Sequence, residues 1–438
     1  MLERLFGLKQ RGTNLRTEAV AGTTTFMTMA YIIFVNPGIL SKGHVPFDAA
    51  VTATCIAAGV ATLAMGLYAN YPFALAAGMG MNVFVAVEMT SKLGSWQAAM
   101  AIIVVEGLII AVLVLTRVRE WVMNAIPMAL KLGIGVGIGL FIAFIGLKQG
   151  RIIQPSQATF IELADPRNAV TLVTAAGLFI TVALMALRLR AAILLGILIT
   201  AGIALAAGLI HYQGVFHYPH FPETFGQIDF SPLGSRSLAL LAWAFVFSSM
   251  MVDFFDTMGT VIAVGEEGGF LSEGRLPRLR RVLLVDSLAA SLGGIFGASS
   301  NTTYIESAAG VAEGGRTGLT SVITSVFFFL AIFFSPLVAM VGGGVRGGPF
   351  NPVTAPALIV VGFLMMSAVR WIAWDNVMDA FPAFLIIIGI PLTNSISHGI
   401  GLGFIAYAAM RILSGKWREL SVVMLVLSVL FAASFVVR

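Results

Sequence analysis

The sequence predicts an all-α polytopic membrane protein, and three observations carry that expectation. Of 438 residues, 58% are hydrophobic and only 11% charged, whereas soluble domains run at about 45–50% apolar and 25% charged. With a mean hydropathy of +0.95, a water-soluble core could not hide so much apolar surface. The apolar residues come in blocks of roughly 18 to 25, the length a helix needs to cross about 30 Å of hydrocarbon. Finally, with the N-terminus inside and the first fourteen blocks crossing, eighteen Lys and Arg collect on the inner side and seven on the outer. That asymmetry is the positive-inside pattern.

Along the chain, MLERLFGLKQRGTNLRTE has no apolar core and carries Arg4, Lys9, Arg11 and Arg16, so it reads as a cytosolic lead-in and not a cleavable signal. Hydrophobic blocks follow near 19–40, 49–69, 73–90, 97–116, 121–147, 169–187, 191–210, 238–262, 282–298, 300–313, 318–341, 353–371, 379–395, 398–413 and 419–437. The last either spans or lies against the bundle. Under this topology Arg117, Arg119 and Arg275 fall inside and Arg346 outside. The basic run RLPRLRR, 275–281, is a loop anchoring two helices, so the formal charge of +5 does not point to nucleic acid. Cys55 excludes an intrachain disulfide, and one cysteine signals no metal or redox chemistry. His211, His217 and His220 read as a soft external loop rather than a metal site.

Two blocks differ from the rest. YPFALAAGMGMNVFVAVE (71–88) and GASSNTTYIESAAGVAEGG (297–315) are short, rich in Gly, Ala, Ser and Thr, and too weakly helical to be simple spans. Interrupted segments at matching places in two halves point to a transporter of inverted repeats, with substrate held where the helices break. The run LAMGLYANYP (63–72) lies opposite LGGIFGASSN (292–301) at nearly the offset that sets Pro127 opposite Pro356. Seven crossings separate the copies, so the second is inverted. VMNAIP (122–127) against VMDAFP (377–382) breaks that offset and reads as coincidence. A strand-like FALAA followed by a helix beginning near Gly80 would expose amides at mid-membrane; close helix packing is the alternative role of Gly78 and Gly80.

The spans also contain acids: Glu88, Glu106, Asp253, Asp256, Asp286 and Glu306. Insertion scales charge about 2.5–3.5 kcal/mol for an ionised residue at a helix centre, so each needs a partner, a water-filled cavity or a proton. Asp253 and Asp256, three apart, share a helix face with Thr257 and Thr260. Nothing basic lies at comparable depth in the broken segments. A carboxyl that is neutral in one state and ionised in another suits a proton-coupled site, and a carboxylate accepts two hydrogen bonds from N–H groups. For Glu88, Glu106 and Asp286 a structural role is favoured; for Asp256 and Glu306 a functional one. The Asn82 amide offers donor and acceptor for a heterocyclic edge, with helix packing as the alternative.

RTEAVAGTTTFMTMAYIIFVNP (16–37), GMGMN (78–82), DFFDTMGT (253–260), NTTYIESAAGVAEGGRTGLTS (301–321) and PAFLIIIGIP (382–391) together resemble the AzgA-like purine permeases of the nucleobase-cation symporter superfamily. The likeness covers essentially the whole chain. It implies about 14 transmembrane segments in a 7+7 inverted repeat, with the third and tenth spans broken. The core domain would comprise 19–116 and 237–341 and the gate domain 117–236 and 342–418, flanked by a cytosolic 1–18 and a hydrophobic 419–438. It further implies uptake of hypoxanthine, guanine or adenine with protons by alternating access across the inner membrane, with no cofactor and no metal. By motif position Asp256 and Glu306 become the acidic substrate and proton residues, with Asp253, Gly80 and Asn82 supporting. Tyr304 and Ile305 would lie beside the base, and Phe26 is the aromatic chosen to stack on it. Asp256 and Thr260 stand where the uracil and xanthine branches tend to carry Glu and His, which favours the purine branch. The expected partners are a purine base, protons and the lipid bilayer, with no nucleic acid; a homodimer is one possible assembly.

Other classes fit less well. An anion transporter of the same fold would use helix N-termini, but two acids in the site oppose anions. An intramembrane enzyme lacks a nucleophile–base pair or a histidine–acid metal cluster within spans. A channel suits opposed broken segments and a titratable site less well than a carrier.

Overall fold

The computed structural model describes residues 2–116, 125–218, 221–272, 276–345 and 349–436. Arg117, Arg119, Arg275, Arg346, His220 and residues 122–124 of the VMNAIP echo lie outside the described residues.

The chain is helical nearly throughout. The first apolar segment is not one helix but two, α1 (Leu15–Met29) and α2 (Ile32–Leu40), interrupted at Ala30 and Tyr31. After α3 (Phe47–Ala64) come the strand β1 (Leu75–Ala77), the short α4 (Met79–Val83) and α5 (Trp96–Leu115). Next are α6 (Met128–Gln149), a hairpin of β2 (Ile153–Ser156) and β3 (Phe160–Leu163), α7 (Ala169–Ala186) and α8 (Ala192–Ala206). The second half runs through α9 (Ala239–Glu267), α10 (Leu279–Phe296), β4 (Asn301–Thr303), α11 (Ser307–Ala312), α12 (Gly318–Ala331) and α13 (Ser335–Gly342). It ends with α14 (Ala355–Met365), α15 (Val377–Thr393), α16 (Ile396–Leu413) and α17 (Val422–Val436). Among the described residues, 8 helical segments are long and apolar enough to cross a membrane.

Local chemistry sets these boundaries. The side chains of Asn14, Ser95, Asn168, Thr317 and Ser395 accept hydrogen bonds from backbone amides of the helices they precede, satisfying donors a helix start leaves open. Small residues set the packing. A Cβ on Gly318 would stand 1.9 Å from the Gly66 carbonyl, so α12 can touch the end of the α3 segment only through a bare backbone. α12 packs on α1 and α3, α10 on α3 and α5, and α6 on α14 and α15.

Residues expected on one side meet one another. The Arg11 guanidinium donates to the Arg316 carbonyl at 2.9 Å, Arg280 to the Leu115 carbonyl at 2.9 Å, and Arg190 pairs with Glu313. At the opposite end the Asn351 amide donates to the Gln149 carbonyl at 2.9 Å.

The two broken segments meet as a two-stranded antiparallel sheet with Leu75 opposite Thr303 and Ala77 opposite Asn301. A sheet of two strands inside a bilayer leaves both outer edges without water, so those edges need internal partners. Hydroxyls and a carboxylate supply them. Thr62 Oγ1 accepts from the Leu75 amide at 2.9 Å and donates to its carbonyl at 3.0 Å; the Ala74 amide donates to Ser307 Oγ at 2.9 Å. Ser321 Oγ lies 2.8 Å from the carbonyls of Tyr71 and Phe73. On the other strand the Thr303 amide donates to Asp286 Oδ1 at 2.9 Å. Of these partners Ser307 lies within a broken segment, while Thr62, Asp286 and Ser321 come from the neighbouring helical segments, so the flanking helices replace the missing strands.

Candidate functional site

The site is built where β1 and β4 cross, between α1, α9 and α10. β4 leads directly into α11, and this turn places Tyr304 and Glu306 at the crossing. The Tyr304 amide continues the ladder to the Ala74 carbonyl at 2.9 Å, and its hydroxyl donates to the Ala77 carbonyl at 2.5 Å. Tyr304 is thus fastened to β1, whereas Ile305 is 48% exposed.

Glu306 is oriented from the first segment. Where α1 breaks from α2, the Tyr31 hydroxyl donates to Glu306 Oε1 at 2.5 Å, and Thr28 Oγ1 donates to the Glu306 carbonyl at 3.4 Å. The Tyr31 contact was not legible in the sequence, because a tyrosine in an apolar run looks like any other core aromatic. It depends on a helix break that hydropathy does not signal.

Asp256 projects from α9 toward the crossing. Its Oδ2 lies 3.7 Å from where a Cβ on Gly78 would stand. Asp256 and Glu306 are partly accessible, while Asp253, Thr257 and Asp286 are buried. Gly259 and Ala263, three and seven positions after Asp256, are exposed, with open space beside Gly259. An accessible stripe therefore runs from Asp256 to the C-terminal end of α9. Among the described residues, neither Asp256 nor Glu306 has a Lys or Arg within ion-pair distance.

The other acids sort by their partners. Asp286 accepts from Thr257 Oγ1 at 2.6 Å and from the amide and hydroxyl of Thr303 at 2.9 Å each, and Thr257 is also 3.0 Å from Thr302 Oγ1. It positions β4. Glu88 accepts from Ser395 Oγ at 2.5 Å and pairs with Lys92 at 3.3 Å. Lys92, four positions beyond the end of the first broken segment, reaches back one helical turn to Glu88. Glu106 is buried on α5. The sequence reading left Glu18 in the lead-in, yet it is fully buried and accepts from the Arg316 amide at 2.9 Å, the Thr320 amide at 3.1 Å and the Thr320 hydroxyl at 2.6 Å. Its carboxylate faces the N-terminal amides of α12, where negative charge is favoured.

The remaining candidates divide. Asn82 is buried beside the crossing, with Nδ2 3.4 Å from the Ala77 carbonyl and Oδ1 lacking a hydrogen-bond partner among the described residues. Gly80 faces α6 instead, since a Cβ there would stand 2.6 Å from Ile138. Phe26 stacks on Phe327 at 5.2 Å and meets Phe328 edge-on at 5.3 Å, so its ring partners belong to α12 and not to the carboxyl pair. Among the described residues no group of His, Cys, Asp and Glu is arranged to hold a metal.

A sequence model described as the permease family matches residues 16–402. The chain belongs to this family. This permease is 42% identical to the guanine/hypoxanthine permease PbuO of Bacillus subtilis, an alignment covering 98% of both chains. It is 40% identical to the adenine permease AdeQ of Escherichia coli, over 99% of this permease and 96% of that protein. In fold it is similar to the transmembrane domain of the cyanobacterial bicarbonate transporter BicA, with a TM-score of 0.64 at 13% identity, covering 88% of this chain and 97% of that one. Family and apolar helices together make it a multi-pass membrane transporter and not an enzyme.

Proposed function

We propose that this permease is a purine nucleobase:proton symporter, taking up guanine, hypoxanthine or adenine by alternating access. The observation that carries the reading is the pair of partly buried acids, Asp256 and Glu306, beside the β1–β4 crossing, with no Lys or Arg at ion-pair distance among the described residues. A planar base presents N–H donors along one edge, and two carboxyls match them as acceptors while the Asn82 amide complements ring acceptors. Guanine/hypoxanthine and adenine permeases at 42% and 40% identity support the substrate class. Asp256 and Glu306 contact base and proton, Asp253 supports them, Gly80 sets helix packing at the site, and Tyr304, with the neighbouring Ile305, holds its wall.

In this reading about 14 segments form a 7+7 inverted repeat. Residues 19–116 and 237–341 make the core domain and 117–236 and 342–418 the gate, with the N-terminus cytosolic and the protein in the inner membrane. The accessible stripe from Asp256 to the end of α9 then opens toward the cytosol. Bicarbonate-type anion transport is disfavoured by the same two carboxyls, which would repel an anion.

The test is uptake of labelled purines into proteoliposomes under an imposed pH gradient. Asp256→Asn and Glu306→Gln are expected to abolish uptake with unchanged insertion and melting behaviour. PH-dependent purine uptake at the native level in both variants would overturn the mechanism, and competition by bicarbonate or sulfate but not by bases would overturn the substrate class.

A further inference from the structure

On the face opposite the N-terminal arm, two adjoining pockets share the wall formed by Lys148, Ile153, Gln154 and Pro155. The first, of about 440 Å³, is lined by Lys42, Lys148, Gln149 and Arg151. Lys42 and Lys148 repel one another, and among the described residues none of the three cations forms an ion pair. Among the described residues no carboxylate lines the pocket. The amide nitrogen Nε2 of Gln149, a residue only 6% exposed, has no hydrogen-bond partner among the described residues. Three cations without an ion-pair partner among the described residues thus line one space, the composition of an anion site.

The second pocket, of about 790 Å³, is apolar, with Phe144, Leu147, Ile388 and Leu392 among its walls. Leu392 is 77% and Phe160 87% exposed at its rim, so it opens on the surface that hydrocarbon must cover. Lys148 lies 5.5 Å above the Phe144 ring and Arg151 5.3 Å from the Phe350 ring. Lys148 lines both pockets and so stands at their junction, while Arg151 and Phe350 line the first alone.

We propose that the paired pockets bind one anionic phospholipid, its phosphate held by Lys42, Lys148 and Arg151 and an acyl chain lying in the apolar pocket. Charge complementarity selects the headgroup, since phosphate oxygens accept from Lys and Arg donors without an acid to compete. The apolar wall beside it selects a lipid over a free anion. The site is remote from the carboxyl pair and independent of which substrate is carried.

The test titrates detergent-purified full-length protein with phosphatidylglycerol, phosphatidylcholine or inorganic phosphate and follows thermal stability. Phosphatidylglycerol is expected to stabilise most, and the double variant Lys42→Gln/Arg151→Gln to need about tenfold more of it or more. The charge-retaining Lys42→Arg/Lys148→Arg variant is expected to behave as the native protein. Equal stabilisation by phosphatidylcholine, or by inorganic phosphate alone, would overturn the proposal. Should the Gln variant fail to fold, native protein labelled with a phosphatidylglycerol carrying a photoreactive acyl chain decides the matter. Adducts on residues 140–147 and 388–392 support the site, and adducts confined elsewhere refute it.

Discussion

Asp286→Ala would separate the acid that positions the site from the acids that work in it. The substitution removes the acceptor of three donors: Thr257 Oγ1, Thr303 Oγ1 and the Thr303 amide. The hydroxyls can turn elsewhere, and Thr257 already has Thr302 Oγ1 at 3.0 Å. The amide cannot, because it lies on the outer edge of β4, where no third strand runs among the described residues. An unsatisfied buried donor costs about 1–3 kcal/mol and a hydrogen bond to a charged group contributes about 1.5–3. The loss should therefore total roughly 3–5 kcal/mol, a large share of a typical domain's stability of about 5–15 kcal/mol. Asp286→Asn keeps one oxygen for Thr303 and turns its amide nitrogen to the Thr257 hydroxyl, so it should cost only about 1 kcal/mol. Melting of purified variants, with purine binding measured in parallel, reads both. If Asp286→Ala melted with the native protein, the positioning role would be wrong. If Asp286→Asn melted normally but lost purine binding, Asp286 would belong to the substrate site itself.

Tyr31→Phe removes the 2.5 Å bond to Glu306 and should weaken purine binding about tenfold or more while melting changes little; binding within twofold of native would refute the orienting role. Gly293→Ala places a Cβ 1.9 Å from the Ser299 carbonyl and should leave little folded protein, whereas Gly135→Ala, with nothing within 4 Å, should express and melt as native. Glu18→Ala withdraws the acceptor from the Thr320 amide in the first turn of α12 and from the Arg316 amide just before it and should lower stability by about 1–2 kcal/mol. A Glu18→Ala protein that melts with the native one would show that this carboxylate does not matter to the packing of α1 on α12.

The membrane class follows from composition and block length, which are additive along the chain and need no tertiary information. The broken segments also announce themselves, since Gly, Ala, Ser and Thr in place of Leu and Ile mark backbone that must find partners other than its own helix. Asp256 and Glu306 stand out for the same kind of reason: an ionisable side chain in an apolar span is costly wherever it lies. What the sequence could not distribute was partnership. Asp286 and Asp256 are both aspartates in apolar helices, and only the approach of Thr303 and Thr257 gives one a structural task. Glu18 looked like part of a charged lead-in until α12 arrived over it from some three hundred positions away. Tyr31, Phe26 and Gly80 depend on which helix face meets which neighbour. Hydropathy records how apolar a segment is and not where it turns, so those contacts, and the assembly of Lys42, Lys148 and Arg151 around one space, exist only once the helices are packed.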